Sequence, residues 1–154
     1  MRQLIEMSYE EFGKLRFLDF FPRTDRYVEN HEGGLESGIG LSCCEGYGIA
    51  TAFLSPEGPA WQTSEVQLTF ENNECPEAEG SAFLAKLGLR LRKGIGRHQV
   101  REIMGHPVKE FPSAGLDFII GREWPYYVGC SIKDTEGLFA VWICRKDLAD
   151  AQTE

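Results

Sequence analysis

The sequence predicts an α+β protein, with short helices packed on an antiparallel β-sheet, and three observations carry that expectation. Two short amphipathic stretches have helix signals at their ends. Several runs of roughly four to eight residues alternate apolar and polar side chains, as half-buried strands do. Short glycine-containing turns join neighbouring runs, which favours hairpins over the long crossovers that parallel strands need.

The best-marked helix lies within residues 89–107. Gly96 stands where an N-cap belongs, and Gln99 can reach back to a free backbone N–H, which is half of a capping box. Val100, Ile103 and Met104 recur at helical spacing and put an apolar stripe on one face. Gly105 suits the left-handed position past the helix end, and Pro107 prevents continuation. The spacing predicts a helix over 97–104.

Nearer the start, Ser8 and Glu11 form a capping box, and Phe12, Leu15 and Leu18 predict a helix over 9–20 that Pro22 ends. Phe17, Phe20 and Phe21 make it apolar on more than one side. A polar connection over 23–37 contains a short strand at 26–29. Ile39, Leu41 and Cys43, then Ile49, Thr51 and Phe53, alternate on either side of Glu45–Gly48 and predict a hairpin. Pro56–Pro59 is a loop. Val66, Leu68 and Phe70 alternate with Glu65, Gln67, Thr69 and Glu71, a strand with one wet face.

Residues 72–80 read as a linker and 81–87 as a short helix. After the 97–104 helix, runs at 116–121, 126–133 and 138–145 predict a three-stranded meander, its last two strands joined by the turn at 134–137. Within 138–143 both alternating sets are apolar, so this strand should be central and covered on both faces. The expected organisation is one compact domain over 1–154, or two packed lobes at 1–80 and 81–154.

Lys93, Gly94, Ile95, Gly96, Val100, Ile103, Met104, Gly105 and Pro107, followed by the aromatic strands at Trp124–Tyr127 and Phe139–Trp142, resemble the β-lactamase-inhibitor-protein-like repeat. The same repeat occurs in small outer-membrane assembly lipoproteins. The resemblance spans roughly residues 88–146 and departs at Gly96, where the family usually has Ser or Thr. It implies a helix with antiparallel strands and, as behaviour, binding of another protein rather than catalysis.

With 154 residues, 42% hydrophobic and 26% charged, the composition is that of an ordinary folded protein. No apolar run approaches the ~18 residues of a membrane span. Residues 1–7 lack the apolar core and cleavage site of a signal peptide, so the expectation is a cytoplasmic protein. Five cysteines, Cys43, Cys44, Cys75, Cys130 and Cys144, form an odd set and should be free thiols. Their spacing completes no metal site, and no cofactor fingerprint or phosphate loop is present. His98 reads as a solvated neutral side chain in the first helical turn, and His106 as a loop residue.

Charge is unevenly placed. Between Tyr27 and Ala85 there are ten glutamates and no Lys or Arg, whereas Lys86, Arg90, Arg92, Lys93, Arg97 and Arg101 lie close together. The net charge of −8 and the lack of a reading helix or an aromatic RNA platform argue against nucleic acid. The function expected is non-catalytic binding of a basic protein partner, of immunity or inhibitor type, through an acidic face. Its candidate contact residues are Glu65, Glu71, Glu74, Trp124, Tyr126 and Tyr127; large aromatic rings give much contact area for little lost side-chain entropy. The rival is a small enzyme or ligand-binding module with a pocket between the 97–104 helix and the aromatic strands.

Overall fold

The computed structural model describes residues 2–15, 27–30, 39–44, 48–54, 61–70 and 77–152, with only the backbone course given for the strands between 27 and 62. The chain is α+β, with short helices on a single antiparallel sheet. Four strands come from the first half: β1 (Tyr27–Asn30), β2 (Ile39–Cys44), β3 (Gly48–Leu54) and β4 (Trp61–Thr69). Four come from the second: β5 (Lys109–Phe111), β6 (Gly115–Ile120), β7 (Tyr126–Lys133) and β8 (Gly137–Arg145). The described helices are α1 (Tyr9–Gly13), α2 (Glu77–Lys86), α3 (Arg97–Met104) and α4 (Lys146–Gln152), with a 3-10 turn at Leu4–Glu6 before α1.

The strand order is β1-β2-β3-β4-β8-β7-β6-β5. Each half is an up-and-down meander, and the two meanders join through their last strands, β4 against β8. Among the described elements, short helices precede four strands in both halves, and α4 follows the second set alone. The central place of β8 follows from its two apolar faces, as the sequence predicts.

The core lies on one face of the sheet. Val66, Leu68, Leu116, Phe118, Tyr126, Val128, Ile132, Val141 and Ile143 point there and meet Leu4, Met7 and Phe12 from the N-terminal segment. Phe83, Leu84 and Leu87 around α2, Leu89, Leu91 and Ile95 from the connection, and Val100 of α3 complete it. The first residues of the chain therefore pack on the second half. Leu4 N–H donates to the Leu87 carbonyl at 2.8 Å, and the Tyr126 hydroxyl lies 3.0 Å from the carbonyl oxygens of both Met7 and Ser8.

Helix α3 has the predicted bounds. Gly96 N–H donates to Gln99 Oε1 at 3.0 Å, and Gly105, at φ +88°, donates to the Arg101 carbonyl at 2.9 Å. Its stripe is only partly inward: Val100 is fully buried, but Ile103 is 41% exposed. At α1 the capping box forms, with Glu11 N–H donating to Ser8 Oγ and Ser8 N–H to Glu11 Oε2. The helix ends at Gly13 rather than near residue 20, with Lys14 as its C-cap. Leu15 has left the helix, and its carbonyl accepts from the buried Thr63 hydroxyl. Phe17, Phe20, Phe21 and the loop at 56–59 lie outside the described residues. The meander has one strand more than the three expected, because β5 pairs with β6 along its edge.

Gly137 shows why the β7–β8 turn sits where it does. Its φ is +74°, and a Cβ there would fall 2.4 Å from the Gly94 carbonyl oxygen. The Gly94–Ile95 backbone exchanges hydrogen bonds with Leu138, Gly94 N–H to its carbonyl and Leu138 N–H to Ile95, each 2.9 Å. That approach ties the lead-in to α3 against the start of β8.

Candidate protein-binding face

Alternation along the strands sends a second set of side chains to the face away from the core. Register aligns Asp117, Gly129, Trp142 and Gln67 in one row, and Ile119, Tyr127, Cys144 and Glu65 in the next. Helix α4 turns back from the end of β8 and packs on β7 and β8. There Tyr127 donates its hydroxyl to Asp150 Oδ1 at 2.9 Å, while Asp150 also pairs with Lys146. The row containing Trp142 stays partly accessible, its indole Nε1–H donating to Glu65 Oε2 at 3.1 Å.

Of the six residues expected to contact a partner, the four that are described, Glu65, Trp124, Tyr126 and Tyr127, do not form one patch. Glu65 is half-buried on the outer face, and its bond to Trp142 orients the carboxylate. Glu71 and Glu74 lie outside the described residues. Tyr127 is half-buried beneath α4 and bonded within the chain. Tyr126 corrects the expectation: it is fully buried, because it points from β7 into the core, where it packs against Phe12 with ring centroids 5.0 Å apart. Burial pushes its hydroxyl well above the usual tyrosine value. Trp124 is 41% exposed, but it precedes β7 and leans on Tyr9, 5.2 Å between centroids. The aromatic turn thus packs against α1 rather than α3.

The residues that do converge on the outer face are Glu65, Trp142, Gly129 and Asp117. One sequence signal pointed there, a glycine inside a strand, which often marks a close approach by another group. Trp142 was concealed within a strand that read as core on both sides.

The cationic cluster does not fold over the glutamate-rich half through Arg97 or Arg101. Both pair with Glu110, and Arg97 also donates to the carbonyls of Phe111, Pro112 and Gly115 at 3.1–3.3 Å. His98, highly exposed, lies 3.0 Å from Glu102, an i,i+4 neighbour.

The rival pocket takes a different form from the one expected. A groove of about 720 Å³ runs between α3, the residues after α2, the turn at Leu4–Glu6 and the end of β6. It is open and lined by Ile5, Leu87, Ile103, Met104 and Ile119, with Arg90, Glu102 and Arg122 at its margins. The aromatic strand residues do not line it. The thiols Cys130 and Cys144 are free and buried, and burial pushes them up to about 12 and about 11, so both stay protonated and are poor nucleophiles. Cys43 and Cys44 lie on β2, and Cys75 is outside the described residues. Among the described residues no group of three metal-ligating side chains occurs, and no helix is long and apolar enough to cross a membrane. No protein-family model, curated protein or solved structure matches the chain.

Proposed function

We propose that this chain is a non-catalytic protein-binding domain of immunity or inhibitor type, acting in the cytoplasm on a basic protein. The observation that carries this reading is where the lysine- and arginine-free segment falls. Residues 27–85, with ten glutamates, supply β1 to β4, four neighbouring strands that make one contiguous half of the sheet. A segment with ten glutamates and no Lys or Arg, two of them (Glu29 and Glu65) on these strands and two (Glu77 and Glu79) on α2, carries a negative charge that speeds encounter with a cationic surface. Helix α3, with its glycine stop and the meander that follows, adds support through its likeness to the inhibitor-protein-like repeat.

The test is capture of a partner from the native cell by the wild-type chain and by a Glu65→Gln, Glu71→Gln, Glu74→Gln variant. The expected partner has an excess of Lys and Arg and is recovered poorly by the variant, while the melting temperatures agree. Equal recovery by both, or a partner without basic excess, contradicts the proposal.

A further inference from the structure

On the accessible part of the outer face, Asp117, Gly129 and Trp142 stand side by side across β6, β7 and β8. Because Gly129 has no side chain, the carboxylate and the indole approach one point above it. A Cβ placed there would lie 3.2 Å from Asp117 Oδ1 and 3.2 Å from Trp142 Cε3. Together with Phe111, Ala114 and Ser131 they wall a cleft of about 270 Å³. That volume accepts one long side chain but falls below the ~300–1,000 Å³ of drug-sized ligand sites.

Asp117 is half-buried, and among the described residues its carboxylate makes no hydrogen bond or ion pair. Partial burial holds its pKa above the usual aspartate value, with Lys109 pulling the other way. Trp142 is anchored from beside the cleft by Glu65, a second carboxylate on the same face. A carboxylate facing an indole and a phenyl ring is complemented by an organic cation, which meets the negative charge and the electron-rich ring faces together.

We propose that the cleft between Asp117, Trp142 and Phe111 receives a lysine or arginine side chain of the basic protein partner. This rests on the basic-partner reading above and adds the point of anchorage. The chain's own cation beside the cleft is Lys109, opposite Asp117 in the β5–β6 register. Its Nζ lies over the Phe111 ring, 4.7 Å from the centroid, and it competes with the incoming side chain.

The test is a nuclear magnetic resonance titration of the full chain, following the Gly129 amide and the Trp142 indole N–H. The probes are Nα-acetyl-lysine methylamide, Nα-acetyl-arginine methylamide and the neutral Nα-acetyl-norleucine methylamide. Both cationic probes should shift the two signals and the neutral one should not. Asp117→Asn should weaken binding by about tenfold and Lys109→Gln should strengthen it. Equal shifts with the norleucine probe, or undiminished binding to Asp117→Asn, would overturn the cleft assignment. A captured basic partner that binds Asp117→Asn as tightly as wild type also overturns the cleft while leaving the basic-partner reading intact. Cationic probes that bind as described, with a captured partner lacking basic excess, would keep the cleft and remove that reading.

Discussion

Arg97 contributes differently from what its sequence position suggests. As a charged residue in the first turn of an amphipathic helix, it reads as a solvated charge with little effect on stability. In the fold its guanidinium gathers the carbonyls of Phe111, Pro112 and Gly115 and the Glu110 carboxylate, closing the β5–β6 turn onto α3. Its side chain is largely covered, so Arg97→Ala should cost about 1–2 kcal/mol, from hydrogen bonds to a charged group discounted for residual solvent screening. Urea denaturation would show this, and a loss below about 0.5 kcal/mol would mean the contacts are ornamental. Asp117 makes a prediction of opposite sign. Its folded pKa is raised, chiefly by desolvation, so its charged form is disfavoured in the native state. That penalty is absent below the ordinary carboxylate range and develops as pH rises through the folded pKa. Asp117→Asn should therefore be more stable than wild type near neutral pH, with the gain vanishing in acid. Denaturation midpoints across pH would check it, and a variant less stable at neutral pH would contradict it.

At the scale of elements, the legible parts were those whose local chemistry agrees with their tertiary setting. Helix α3 carries its cap, stripe and stop within a few residues, and its bounds were readable. The strands β2, β3 and β4 reveal themselves by alternation, and β8 by an apolar run on both faces. Helix α1 was overestimated because the helical spacing continues through Leu15, whereas Thr63 takes the Leu15 carbonyl and Lys14 already caps the chain. Strand β5 was missed because Lys-Glu-Phe has no apolar period; pairing with β6 and the Arg97 contact to the Phe111 carbonyl define it. The stripe of α3 gives the sharpest test at this scale. Val100→Asp sets an unpaired carboxylate in the core and should cost several kcal/mol, enough to unfold or aggregate the protein. Ile103→Asp, on the exposed side of the groove, should leave the fold intact. Similar melting of the two variants would place the helix face elsewhere.

For the whole molecule, the repeated order of short helices and four strands makes two meanders that share one sheet through β4 and β8. That arrangement was legible mainly in its second half, where the α3 signals and three of the four strands could be read in order. The first half gives hairpin signals but no marker of which strand meets the other meander, since edge-to-edge pairing is a long-range choice made by the buried faces of Val66, Leu68, Val141 and Ile143. The candidate site was less legible than the fold. An acidic segment can be read from composition, but the meeting of Glu65 with Trp142, and of Trp142 with Asp117 across Gly129, depends on register between strands far apart in sequence. The partner proposed above is a basic protein whose encounter the glutamate-rich segment 27–85 steers. Such steering weakens as salt shortens the Debye length from ~10 Å at 0.1 M to ~3 Å at 1 M. The most direct measurement is stopped-flow association of the captured partner at low and high ionic strength. The association rate should fall by at least about tenfold between the two conditions, with dissociation changing much less. An association rate independent of salt would contradict the account.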